Sequence, residues 1–161
     1  MVDIAAQEPA HQPAIEDLLD RAFGPDRLMR PSYRLRDGVT PVAGLGLVAR
    51  DDDKLVATLR FWPIVIGGAV PALLLGPLAV DAAYRRRAIA ASLIGRGLEE
   101  ALEAGHRIVT AVGDLGLFGR FGFTAATPLG LAMPGLADAH RLLVLGPLNG
   151  VAGCLERDAD A

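Results

Sequence analysis

Three consecutive arginines, Arg85-Arg86-Arg87, follow the apolar run Leu73-Leu74-Leu75-Gly76-Pro77-Leu78-Ala79-Val80 and the tetrad Asp81-Ala82-Ala83-Tyr84. They precede a helical pattern that opens at Ala88-Ile89-Ala90. The order is strand, basic turn, helix. The first turn of a helix has backbone N–H groups without intrahelical partners and a partial positive charge, so this junction suits a phosphorylated ligand. The guanidinium groups add full charge at the same place. Other chemistries find less to work with. His11, His106 and His140 are far apart, Cys154 is the one cysteine, and no Cys/His cluster has zinc-ligand spacing. Ser32 and Ser92 lie outside any Gly-x-Ser-x-Gly elbow, and no Gly-x-x-x-x-Gly-Lys-Ser/Thr phosphate loop occurs.

The elements that must hold this junction follow from pattern. Val2 to Ala5 forms a first strand, and Ile15, Leu18, Leu19, Ala22 and Phe23 recur at helical spacing up to the stop at Gly24-Pro25. A weaker helical piece covers Asp26 to Arg36, with Pro31 interrupting it. Gly44 to Arg50, the turn Asp51-Asp52-Asp53-Lys54, Leu55 to Ile66, the Gly67-Gly68 turn and Ala69 to Val80 read as an antiparallel meander. Ala88 to Ala104 is the central helix, with Ile94, Leu98 and Ala101, and Ile89, Leu93 and Leu102 nearby, as its apolar stripe. Gly105 ends it. Arg107 to Val112 is the next strand, joined to the fourth by a parallel crossover. Pro128 to Met133 and Leu142 to Leu145 are two further strands, and the polar C-terminal segment reads as frayed. Phe61 and Trp62 fall in the third strand, where alternation turns one to the core and leaves the other either to line a substrate groove or, the preferred reading, to pack in the core.

The whole chain, residues 1–161, reads as one domain with a real core, since 161 residues at 52% hydrophobic and 22% charged suit such a unit. A net charge of −3 gives no general attraction to nucleic acid or to anionic membranes. The apolar stretch Ile64 to Val80 is divided by Gly67-Gly68 and Pro71, which fits two buried strands rather than a membrane span. A lone cysteine, and the lack of a basic start followed by an apolar block in Met1 to Gln12, fit a reducing cytoplasm.

Leu78-Ala79-Val80 with Arg85-x-x-Ala88-x-Ala90, and downstream Val112-Gly113-Asp114 with Phe118-Gly119-Arg120-Phe121-Gly122-Phe123, resemble the Gcn5-related N-acetyltransferase (GNAT) superfamily. In that family a strand ending in Leu-x-Val precedes an acetyl-CoA loop written Gln/Arg-x-x-Gly-x-Gly/Ala. The resemblance implies an α/β (α+β) fold: a mixed, mostly antiparallel twisted sheet of about seven strands flanked by helices, with a central strand-loop-helix-strand unit. It implies acetyl-CoA as cosubstrate, lying where the fourth and fifth strands splay apart. Backbone groups of Leu78, Ala79 and Val80 would bind the pantetheine arm like an added strand. The amides of Arg86, Arg87, Ala88, Ile89, Ala90 and Ala91 would cradle the pyrophosphate, with charge from Arg85, Arg86 and Arg87. Two positions depart from the family pattern. Ala88 replaces the first loop glycine, and Phe118 stands where the catalytic tyrosine is usual. Alanine suits helical φ and ψ, whereas a position needing φ > 0 would penalise it.

The implied reaction passes acetyl to an amine of a small molecule or peptide by direct attack. A free amine, with a pKa of about 10, must first lose its proton. The strand Ala69 to Val80 offers no Asp, Glu or His, so Asp114 and Asp81, at the strand ends, are the nearest carboxylates. Both also read as turn or helix-cap residues. Tyr84 is a phenol close in sequence, with packing as its competing role. Arg34, Arg36 and Arg60 fit either an acidic acceptor or a solvated surface. Two further readings stay open: a degenerate coenzyme A-binding or regulatory module without turnover, and a structural subunit whose apolar tail forms a homodimer.

Overall fold

Alternating apolar runs separated by glycine turns build the sheet on which everything else is mounted. The computed structural model describes residues 1–85 and 88–158, so the expectations placed on Arg86 and Arg87 lie outside the described residues. The elements run β1 (Val2–Ala6), α1 (Gln12–Phe23), α2 (Pro31–Arg34), β2 (Leu47–Asp51), β3 (Lys54–Ile66), β4 (Val70–Val80), α3 (Ile89–Glu103), β5 (Val109–Val112), α4 (Leu115–Phe118), β6 (Thr124–Ala125), β7 (Leu131–Ala132), β8 (Leu142–Leu145) and β9 (Gly153–Arg157). The order across the sheet is β1-β2-β3-β4-β5-β8-β6, with β9 joined to β3 and β7 to β9. Within this order only β4 and β5 pair in parallel. The fold is mixed and mostly antiparallel, with seven strands on the main path. Among the described residues no helix is long and apolar enough to cross a membrane.

The two faces are covered by different helices. On one, Ile89, Leu93, Ile94 and Ala101 of α3 meet Leu47, Ala49, Ala57, Leu59, Phe61, Leu73 and Leu75. Each fully buried aliphatic side chain there contributes about 1.5–3 kcal/mol. A Cβ at Gly97 would come within 2.8 Å of the Phe61 ring, so glycine lets α3 lie directly on β3. On the other face Ile15, Leu18 and Leu19 of α1 cover Val48, Leu55 and Ala79.

Four expectations are corrected. Leu102 is not part of the helical stripe, being 70% exposed beyond its edge. Pro31 opens α2 at its first position rather than interrupting a helix, because its missing N–H has no partner to lose there. Residues 127–129 form a tight turn, leaving only Leu131–Ala132 of the expected Pro128 to Met133 strand. The C-terminal segment is not frayed at Gly153–Arg157, which pairs with β3 through Leu155–Ile66 and its neighbours and buries Leu155.

Candidate active site

The site starts from an irregularity in β4. Pairing with β5 covers Leu73–Val109, Leu74–Thr110 and Leu75–Ala111 and goes no further, while β4 continues to Val80 against β3. Between Leu75 and Leu78 an extra residue enters β4, because three steps along it oppose the two steps from Phe61 to Leu59 on β3. Gly76 occupies this bulge at φ +133°, a conformation open to glycine, and a Cβ there would stand 2.9 Å from Arg36 Nη2. The buried Trp62 Nε1–H donates to the Gly76 carbonyl at 2.7 Å and pins the bulge. The extra residue reverses the alternation of faces. Leu73 and Leu75 belong to the α3 side before it, whereas Leu78 and Val80 pack there after it and Ala79 turns under α1.

The parting of β4 from β5 leads into a cavity of about 550 Å³. It is lined by residues 74–78 of β4, by Val112, Gly113 and Phe118, and by Tyr33, Arg36 and residues 135–138. A second cavity of about 490 Å³ shares Tyr33, Arg36 and Pro77 with the first.

At the helical end, Arg85 is exposed and its Nε–H reaches the Val80 carbonyl at 3.4 Å. Ala88 adopts φ +58°, ψ +20°, the left-handed region. The expected helical conformation at Ala88 is therefore corrected: this is a position that penalises a side chain, by about 1–2 kcal/mol. The N-cap residue of α3, Ala88, has no side-chain acceptor to offer the first-turn amides of the helix. Ile89 buries its side chain in the core.

The proton-transfer candidates are dispersed. Asp114 caps α4 by accepting from Gly116 N–H at 2.9 Å. Asp81 accepts from Ala83 N–H at 3.0 Å and pairs with Arg21 at 2.9 Å and Lys54 at 3.6 Å. The Ala83 N–H and the Arg21 guanidinium hold its carboxyl below the usual range, with Lys54 adding to them against the opposing effect of burial. Tyr84 donates its hydroxyl to Asp51 Oδ2 at 2.6 Å, beside the β2–β3 turn, and does not line the cavity. Phe118 does line it, but its ring is only 5% exposed and meets Phe123 edge-on at 5.2 Å. Of the chain's two tyrosines, Tyr33 is the one at the opening, which its place in a weak helical pattern did not signal.

Burial corrects the solvated reading of Arg36 and Arg60, which join Arg27 in one cluster. Arg34 alone stays exposed. Arg27 binds Asp20 Oδ1 at 2.8 Å, Tyr33 Oη at 3.1 Å and Glu16 Oε2. Burial works to lower its pKa, but these partners outweigh it and the net shift is upward. Arg60 binds Gln7 at 3.2 Å, Gln12 at 2.5 Å and the Glu16 carboxylate at 3.6 Å, and burial still lowers its pKa. Arg36 lies 4.6 Å from the Tyr33 ring centre and 5.7 Å from that of Trp62.

Residues 13–123 match the model of the acetyltransferase (GNAT) family. The uncharacterized N-acetyltransferase YhbS of Escherichia coli K12 is 35% identical over 160 residues, covering 95% of this chain and 94% of that protein. The crystal structure of Escherichia coli YhbS in complex with CoA superposes with a TM-score of 0.81 at 33% identity, over 97% of this chain and 89% of that one. A Brucella melitensis GNAT acetyltransferase in complex with acetyl-CoA gives 0.73 at 26% identity, over 99% and 97%. With the strand parting, the α3 terminus and a family match over more than half its length, this chain belongs to the acetyltransferase (GNAT) family.

Proposed function

We propose that this protein is an acetyl-CoA-dependent N-acetyltransferase, in which coenzyme A enters where β4 leaves β5. That parting after Leu75–Ala111 is the observation that carries the reading. In it the pantetheine arm takes the place of a neighbouring strand beside Leu78, Ala79 and Val80. The pyrophosphate lies at the uncapped start of α3, near Ala88, Ile89, Ala90 and Ala91, with charge from Arg85, Arg86 and Arg87. The CoA and acetyl-CoA complexes of the YhbS and Brucella relatives support acetyl-CoA as the cosubstrate. The reading extends to one domain, residues 1–161, working in a reducing cytoplasm.

In the transfer the amine lone pair attacks the thioester carbonyl, the C–N bond forms, the C–S bond breaks and coenzyme A leaves as thiolate. The proton lost by the amine balances the one the thiolate takes up. Asp81 and Asp114 are committed to capping contacts, so this reading assigns deprotonation of the amine to solvent in the opening rather than to a β4 carboxylate. Tyr33 accepts a hydrogen bond from Arg27, which leaves its own hydroxyl proton to donate to the thiolate in place of the absent phenol at Phe118. Loss of a general acid lowers the rate about 10²- to 10⁴-fold, so Tyr33→Phe should reduce kcat about 10²-fold. An unchanged kcat removes Tyr33 from the reaction.

The buried, hydroxyl-free Phe118 favours a second reading, a module that binds coenzyme A without turnover. Two measurements decide. Acetyl-CoA at about 100 times its dissociation constant should stabilise the fold by about 2.7 kcal/mol, and an unmoved melting temperature overturns both readings. Coenzyme A release across a panel of amines then separates enzyme from module.

A further inference from the structure

Three buried arginines converge beside the bulge of β4, and they differ in what neutralises them. Arg27 has Glu16 and Asp20, and Arg60 has Glu16 with the amide oxygens of Gln7 and Gln12. Arg36 has neither. Among the described residues no carboxylate pairs with it, its Nε is buried without a hydrogen-bond acceptor, and it is only 8% exposed. Desolvation lowers its pKa to about 10, which still leaves it charged at neutral pH. Stacking against Tyr33 and Trp62 offsets part of that desolvation, about 1–2 kcal/mol at most, but aromatic faces accept no N–H hydrogen bonds in the guanidinium plane. The neutral Tyr33 hydroxyl adds a favourable polar contact but no counter-charge, and a buried cation with an orphaned Nε–H and no paired carboxylate is expensive to keep unless something supplies the missing anion.

The position of Arg36 says where that anion would come from. It lines the cavity at the opening of the sheet and stands against Gly76, where β4 stops pairing with β5. Coenzyme A's own phosphates, seated at the start of α3, would be separated from Gly76 by the rest of β4, roughly 13 Å of strand. The arm between is uncharged. Arg30 and Arg141 line the same cavity against the single carboxylate of Asp138, which is occupied in capping His140 N–H at 3.1 Å.

We propose that the acceptor amine is a small molecule carrying a carboxylate, of the amino-acid kind, and that the Arg36 guanidinium holds this carboxylate beside the β4 bulge. The inference rests on the transferase reading, for which it names the substrate class. One planar fork with one unmet positive charge matches a monoanionic, planar carboxylate. Holding it at Gly76 brings an amine a few bonds away next to the thioester end of the cofactor.

The test compares binding of N-acetyl amino acids, as product analogues, with binding of their N-acetyl amino acid amides. Calorimetry on the full chain, with and without coenzyme A, gives the dissociation constants. The acids should bind at least about tenfold tighter than the amides. Arg36→Met keeps the packing between Tyr33 and Trp62 and should bring the acids down to the amide level, whereas Arg36→Lys should fall between. Equal binding of acids and amides by the parent protein overturns the proposal, as does failure of every acid to bind. So does a preference that survives in a folded Arg36→Met protein, or tighter binding of N-acetylated aminoalkyl phosphates than of the acids. A melting shift with acetyl-CoA but no acid preference sinks the carboxylate site alone. No shift with acetyl-CoA sinks the transferase reading, while the cofactor-free titration still reads Arg36.

Discussion

The molecule has two basic regions, and they are built in opposite ways. The loop at Arg85–Ala88 is contiguous in sequence and its described arginine is exposed, and at its base one buried carboxylate, Asp81, gathers two cations. The cluster of Arg27, Arg36 and Arg60 is scattered over 34 positions, buried, and served mainly by one carboxylate, Glu16, for two of its three cations. A surface loop can leave its charges to water until a phosphate arrives. A buried cluster must carry its own counter-ions, and a shortfall there marks a place reserved for a ligand.

The largest expected effect breaks the second region. Glu16→Ala removes the anion shared by Arg27 and Arg60 and leaves both guanidinium groups under-compensated beside Arg36. Breaking a fully buried pair costs about 3–5 kcal/mol. Because the Glu16 side chain is 40% exposed, water will reach the gap, and a loss of roughly 2 kcal/mol is expected in urea unfolding. A loss below about 0.5 kcal/mol would put the cluster in the class of surface ion pairs and remove the contrast with the loop.

The first region is probed by Asp81→Asn, which keeps a capping oxygen for Ala83 N–H but removes the charge facing Arg21 and Lys54. Both cations are about half exposed, so the expected loss near neutral pH is about 1 kcal/mol. The folded state holds the Asp81 carboxyl below its usual range, so its contribution is present above that range and is lost as pH falls through the depressed value. The stability difference between parent and variant should therefore hold steady from about pH 7 to about pH 5 and shrink as the pH falls below about 4. A difference that stays constant in acid would trace the loss to packing.

This contrast also decides what the sequence could reveal. The strand, basic turn and helix of residues 73–104 lie in one stretch, where period and composition speak directly, and their boundaries fall within a residue or two of β4 and α3. The meander before them was legible for the same reason. The Arg27–Arg36–Arg60 cluster was not, because Arg27 and Arg36 lie on either side of α2 and Arg60 on β3, and only the folded chain brings the three around one cavity. The bulge left no trace beyond a Gly-Pro pair inside an apolar run. β9 escaped because it buries only Leu155 of its five residues and pairs with a strand some 90 positions earlier. At Ala88 residue type pointed the wrong way, since alanine ordinarily marks right-handed backbone.

That residue gives the smallest and most discriminating prediction for the loop. Holding alanine left-handed costs about 1–2 kcal/mol, and Ala88→Gly removes this strain while adding about 0.5–1 kcal/mol of unfolded-chain entropy. The balance is a gain of roughly 0.5–1 kcal/mol, or about 1–4 °C in Tm. The same variant reports on the methyl group, because a methyl pointing at the pyrophosphate seat makes glycine tighten coenzyme A binding, whereas one pointing to solvent leaves affinity unchanged. Measured together, stability and affinity separate backbone strain from ligand contact. A variant less stable than its parent would mean that residue 88 is right-handed in solution, and the start of α3 would then present its amides in a different direction from the one that makes room for a phosphate.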